Sequence, residues 1–293
     1  MPTVATARLA CIVVVVALAS EAAATVPEVP GDDIFGFTTP TDVGNPGDTG
    51  FVNENDGRAG KRGSAYRALN AKYELGHTPA PDWWVAVSLY ASHHRVRDVP
   101  AFADVSRVAF DGLSFEIEHR IVKRTLSNPF AVAVSLEPRW GLIDSVPGLT
   151  AHFVNAAFKL FVDAVVVPER LFWGFNAIWA PQRAEDPTDR SRWLSSSGIL
   201  VSTAIAYRWS PKLFLGAEAR YLASFSAILP TQEGGHAVYV GPTLLWKITD
   251  TVAFNTTFQP QIAGRSTGNP QRRLDLDNFE KAQFRAKLSI AFQ

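Results

Sequence analysis

The chain has 293 residues, with 28 Lys and Arg set against 28 Asp and Glu, and a pI near 7.0. That balance gives no bulk electrostatic reason to expect a nucleic-acid partner. A mean hydropathy of +0.02 suits a soluble protein. It suits equally a barrel whose lipid-facing and lumen-facing residues alternate and cancel.

In chain order, Arg8 supplies a positive start and Leu9 to Ala19 an apolar run, followed by the small residues of "SEAAATVPEVP". The pattern predicts a signal peptide over 1–24, cleaved after Ala24. The run is about half the ~20 residues that a membrane-spanning helix needs. The single cysteine, Cys11, lies inside it, with Arg8 where a lipoprotein site wants leucine. The mature chain is thus expected to hold no cysteine, no disulfide and no thiol chemistry. Residues 25–48 are rich in Pro, Gly, Asp and Thr and lack periodicity. They read as a leader or a plug, with Phe35 and Phe37 as candidate plug contacts.

From Thr49 onward, segments of ten or more residues alternate with period two. Twelve strands are predicted, at 49–61, 65–76, 83–94, 107–122, 129–140, 152–166, 169–180, 196–209, 212–225, 236–248, 251–263 and 280–292. In the fifth, Phe130, Val132, Val134 and Leu136 alternate with Ala131, Ala133, Ser135, Glu137 and Arg139. "FDGLSF" loses register at Asp111-Gly112, where a bulge would restore it. After the first hairpin the connections alternate between short and longer ones. That is the layout of an up-and-down barrel with tight turns at one end and loops at the other. The "KRG" connection between the first two strands is short where a loop is expected. No later stretch is long and apolar enough for a spanning helix. Trp83, Trp84, Trp140, Trp179, Trp193, Trp209 and Trp246 fall near predicted strand ends, as interfacial girdles do. Trp173 is the exception.

Several phrases, in order along the chain, carry a resemblance: "FGFT" at Phe35, "GKRGSAYRA" at Gly60, "FDGLSFE" at Phe110, "FLGAEARY" at Phe214 and the closing "FEKAQFRAKLSIAF". Together they resemble an uncharacterised family of bacterial outer-membrane, porin-like β-barrel proteins. The resemblance implies an all-β transmembrane antiparallel barrel over 49–293 in the outer membrane, and brings no substrate or catalytic residues with it. Such barrels often end on an aromatic residue read by the insertion machinery; here Phe292 is followed by Gln293.

Alternation assigns a set of charged side chains to the lumen: Lys72, Glu74, Glu116, Glu118, Arg120, Glu137, Arg139, Lys159, Asp163, Arg170, Arg208, Glu218, Arg220, Lys247, Arg285 and Lys287. Bases outnumber acids in this set, which points to a weakly anion-preferring pore. The competing reading is a salt-bridged, water-filled core. The six histidines fall at no spacing with Ser and an acid that would build a triad, nor at a metal spacing. "DLDN" at Asp275 lacks the later ligands of a calcium loop. No enzyme activity, cofactor or metal is expected. Arg95, Arg97, Arg183, Arg190, Arg192, Arg272 and Arg273 fall on predicted outer loops, where lipopolysaccharide phosphates are a candidate partner. The sequence thus suggests a passive outer-membrane channel for small polar or anionic solutes. A closed structural or interaction barrel is the alternative.

Overall fold

The computed structural model describes Val29 and residues 34–62, 65–186 and 189–292. The expected signal peptide, its cleavage site, Cys11 and Gln293 lie outside the described residues. Twelve antiparallel strands form one closed barrel: β1 (Thr49–Ala59), β2 (Ala65–Ala80), β3 (Trp83–Arg97), β4 (Val105–Val122), β5 (Phe130–Ile143), β6 (Thr150–Val167), β7 (Leu171–Glu185), β8 (Trp193–Ser210), β9 (Leu213–Phe225), β10 (Glu233–Lys247), β11 (Val252–Ser266) and β12 (Ala282–Phe292). Each strand pairs with its chain neighbours, and β1 pairs with β12 to close the ring. Closure leaves no unpaired strand edge.

The alternation has one cause throughout: one face of the wall is apolar and the other polar. On β5, Val134 and Leu136 point outward, 40% and 38% exposed, while Ala131 and Ala133 are buried inside. On β11, Phe258 and Ile262 face outward, while Asn255, Thr257, Gln259 and Gln261 are buried inside. This is a core turned inside out: polar groups in the lumen, and Leu, Val, Phe and Trp around the rim of the wall. It is the arrangement a bilayer demands of a strand-built protein.

Most strands run further than the alternation alone predicts, while β1, β9 and β12 are slightly shorter. β7 continues to Glu185 and β8 begins at Trp193, so much of the expected long loop between them is strand. At the turn end the connections at 81–82, 168–170, 211–212 and 248–251 are tight, but 123–129 is as long as most at the loop end. The longest loop-end connection is 267–281, between β11 and β12.

The predicted bulge is present. Leu89 pairs with Leu113 and Ala91 with Phe110, so β4 carries one extra residue there. Gly112 sits at φ 99°, and a Cβ on it would strike the Trp140 carbonyl oxygen. Only glycine fits. The bulge swings Asp111 into the wall, where it accepts from Ile143 N (3.0 Å) and pairs with Arg139 (2.9 Å).

Trp84 departs from its expected girdle position. It points inward at the turn end, over Gly76 and Gly50, which have no Cβ to obstruct the indole. Trp83, Trp140, Trp193, Trp209 and Trp246 are exposed on the outer wall. Trp173, the expected exception, lies near the start of its strand and donates to Thr203 Oγ1 (2.9 Å).

Candidate functional site: a belted, charged lumen

Residues 34–48 enter the barrel at the turn end and run along its inner wall before joining β1. Every second residue is held by a lumen side chain, and the strands supplying those side chains follow the order of the ring. Asn255 on β11 donates to the Phe35 carbonyl (2.7 Å). Glu218 on β9 accepts from Phe37 N (2.8 Å). The Asn176 amide on β7, oriented with its oxygen toward Thr39, accepts from Thr39 N (2.7 Å) and donates to Thr39 O (2.9 Å). Asp163 on β6 accepts from Thr41 N (2.7 Å), and Thr78 on β2 donates to the Val43 carbonyl (2.5 Å). Thr38 adds a hydrogen bond to the other oxygen of Glu218 (2.5 Å).

The segment is therefore an inner belt, satisfied by side chains where a strand would use a neighbour's backbone. Its apolar end is packed as well. Val29, Ile34 and Phe35 cluster with Val165, Phe172, Phe214 and Leu245. Burying Ile34 and Phe35 contributes about 1.5–3 kcal/mol each. At Gly36 a Cβ would lie 2.6 Å from Glu218 Oε2 and 2.7 Å from Thr257, so the belt can press against the wall only with glycine there.

Beside the belt lies a cavity of about 700 Å³. Thr49, Gly50, Thr251 and Ala291 line it at the turn end, and Arg58, Ser145 and Gln182 toward the loop end. Its walls carry eight carboxylates (Asp42, Asp48, Glu54, Asp56, Glu74, Glu116, Glu118, Glu137) and seven bases (Arg58, Lys72, Arg139, Lys159, Arg220, Arg285, Lys287). The basic excess expected from sequence does not hold there, because the belt adds Asp42 and Asp48 and β1 adds Glu54 and Asp56, against Arg58 alone.

Most of these charges are paired. Lys159 contacts Glu116 (2.7 Å) and Glu137 (2.6 Å), while Lys72 contacts Glu74 (2.5 Å) and stands 3.8–3.9 Å from the other two glutamates. Tyr90 and Ser114 both donate to Glu137 (2.7 Å). Arg285 grips Asp56 with two nitrogens (2.7 and 2.8 Å) and reaches Glu54 at 3.0 Å, and Lys287 lies 3.6 Å from Glu54. Arg139 stacks over Tyr90, 3.8 Å from the ring centre. Partners of this quality offset the cost of holding charge in the wall.

The remaining predicted lumen residues divide by position. Glu218 and Arg220 are buried inside, and Asp163 is fully buried against Thr41 and Arg124. Arg120 pairs with Asp82 (3.0 Å) and approaches Asp42 (3.7 Å) at the turn end. Lys247 is half-buried at the same end. The Arg208 guanidinium lies 5.2 Å from the Phe214 ring centre. Arg170 is not on an inner face: it sits in the β6–β7 turn, exposed, with Nη1 3.5 Å from the outward Tyr207 hydroxyl. Sequence reasoning missed Glu54, Asp56 and Arg58 altogether. The available signal was charge complementarity, because Glu54 stands opposite Lys287 and Asp56 opposite Arg285 in the closing pair.

At the loop end, Arg58 Nη2 donates to the Ser145 carbonyl (2.6 Å), tying β1 to the β5–β6 connection. Arg58 and Lys61 also lie 3.5 and 3.8 Å from Glu280. Burial raises the Glu280 carboxyl, but Arg58 and Lys61, together with hydrogen bonds that include one from Gln283, more than offset it and hold it below the ordinary carboxylate range. Burial pulls the Lys61 ammonium down.

An apolar outer wall, a charged inner wall and a closed antiparallel ring define the outer-membrane class of β-barrel. Residues 27–292 match a family described as a family of unknown function, DUF6662, and the chain belongs to it. No curated protein matches the sequence. Among solved structures, the COG4313 outer membrane channel from Pseudomonas putida F1 is similar in fold. It is 10% identical, with a TM-score of 0.53, over 86% of this chain and 97% of that one. A NanC porin aligns over 83% of this chain and 99% of its own, at 8% identity and a TM-score of 0.49. A KdgM porin in complex with disordered oligogalacturonate aligns over 84% and 99%, at 10% identity and 0.47.

Proposed function

We propose that the protein is a passive channel of the bacterial outer membrane that passes small polar solutes, anions among them, through a belt-narrowed lumen. The observation that carries this reading is the cavity of about 700 Å³ beside the belt, lined by charge and amide from the turn end toward the loop end. A barrel meant only as a scaffold gains nothing from desolvating so many charges, since apolar side chains fill such a space at lower cost. A ring of twelve strands lies between the filled eight-stranded barrels and the open sixteen-stranded porins. With the belt in place, the bore is reduced further. On this reading the outer wall contacts lipid, the barrel machinery inserts it, and the exposed loop-end arginines meet lipopolysaccharide phosphates.

The test is single-channel recording of refolded protein in a planar bilayer. Stable small conductance steps, enlarged when residues 25–48 are deleted, are expected. A barrel that shows heat-modifiable migration yet conducts in neither form would overturn the channel.

A further inference from the structure

Arg220 differs from every other base in the cavity wall. It is 3% exposed, and among the described residues no carboxylate makes a salt bridge with it. Its Nε donates to Gln259 Oε1 (2.6 Å) and its Nη2 to Gln283 Oε1 (2.7 Å). Each glutamine then turns its own NH2 to a carboxylate: Gln259 to Glu218 (2.7 Å) and Gln283 to Glu280 (3.0 Å). The guanidinium is thus held one amide away from both acids that could neutralise it. The Phe37 ring of the belt lies over it, 3.3 Å from ring centre to Cζ, and over Arg285 at 4.4 Å.

A buried cation met only by amides and by the Phe37 and Tyr239 rings is costly unless a counter-charge arrives. Both Arg220 and Gln283 line the cavity. Nε and Nη2 are engaged, which leaves Nη1 as the edge that can take a new acceptor. Every other base in the cavity wall has a carboxylate within 3.6 Å, so Arg220 is the base whose charge no salt bridge among the described residues offsets.

We propose that Arg220 is the charge-selecting residue of the lumen, holding a small anion, halide or carboxylate, at its Nη1 edge beside Phe37. This rests on reading the lumen as a passage. The two glutamines are spacers that preserve the charge, and Phe37 covers one face of the guanidinium while leaving the edge free. The amide positions make a specific demand: carboxylate at residue 259 would silence the site without removing the arginine.

The experiment compares wild type, Arg220→Gln and Gln259→Glu by two readouts. Reversal potential in a potassium chloride gradient across a planar bilayer reads selectivity. Chlorine NMR line-broadening on detergent-folded protein reads binding without requiring conduction. Wild type is expected to prefer chloride and to broaden the line, with potassium acetate competing; both variants lose both properties. Heat-modifiable migration confirms folding, and Gln259→Glu decides the matter if Arg220→Gln does not fold. Channels whose anion preference and line-broadening survive in the folded variants would overturn the site while leaving the passage intact. Bilayer silence, with line-broadening that both variants abolish, would overturn the passage while leaving the site.

Discussion

Asp56 and Arg285 face each other across the seam where the first strand meets the last, joined by two hydrogen bonds of 2.7 and 2.8 Å. The pair stands at the only junction in the ring between strands distant in sequence, where no turn sets the register. A bidentate guanidinium–carboxylate contact fixes both distance and angle, so it locks which residue of β1 meets which residue of β12. Glu54 opposite Lys287 repeats the match one inward step along.

Asp56→Ala is therefore expected to weaken closure. The loss should be about 1.5–3 kcal/mol, as for hydrogen bonds to charged groups, because Arg285 keeps Glu54 at 3.0 Å. Gel migration of unboiled samples against temperature would show it as an earlier conversion. The exchange Asp56→Arg with Arg285→Asp should recover part of the loss. If the single and double variants convert alike, the pair does not hold the seam.

The belt makes a sharper demand. Asp163 is fully buried and serves Thr41 and Arg124 together. Asp163→Ala leaves Arg124 without its buried partner, a change that costs about 3–5 kcal/mol in comparable pairs. The barrel wall remains hydrogen-bonded strand to strand, so the loss should appear in the belt. Limited proteolysis of 34–48 in folded samples should become faster, and channel conductance should rise. Unchanged cleavage would mean that the apolar cluster around Phe35 alone retains the belt.

These two features also mark where the sequence ceased to be legible. Strands such as β5 and β11 announced themselves because lipid on one side and a wet lumen on the other impose strict alternation. The bulge at Gly112 was visible for the same reason, as a break in that rhythm. β1 was predicted as a strand but its inner face was not, since its outward positions Asn53 and Asn55 are polar like its inward ones, leaving no contrast to read. The belt was less legible still. Its partners are side chains on at least six strands, the farthest 220 residues away, and local periodicity carries no trace of such contacts. Trp84 misled because a tryptophan near a strand end looks alike whether it meets headgroups or lies over Gly76 inside the barrel.

Gly36 tests the belt from the opposite direction. Alanine there places a methyl against Glu218 Oε2 and Thr257, within 2.8 Å of three wall atoms. None of those atoms ends a flexible chain with room to retreat, because Glu218 is held by Phe37, Thr38 and Gln259. Gly36→Ala should therefore lift Phe37 from Arg220 while leaving barrel formation unchanged. The expected signature is a larger conductance at the same heat-modification temperature. A conductance equal to wild type would show that the belt absorbs the methyl by a local shift.

The loop end should respond to acid. Glu280 is buried between Arg58 and Lys61 and titrates below the ordinary carboxylate range. A depressed carboxyl contributes stability that is complete above its unfolded pKa and is lost as pH falls through the folded one. The contacts from β1 to the β11–β12 connection should accordingly hold through neutral and mildly acidic conditions and release only in stronger acid. Glu280→Gln mimics the released state at every pH, because it removes the charge but keeps the shape. Protease cleavage within 267–281 should then be pH-independent and fast in the variant. In wild type it should be slow at neutral pH and rise only on strong acidification. Cleavage that follows the same pH profile in both proteins would show that the Arg58–Ser145 hydrogen bond, and not Glu280, secures this end.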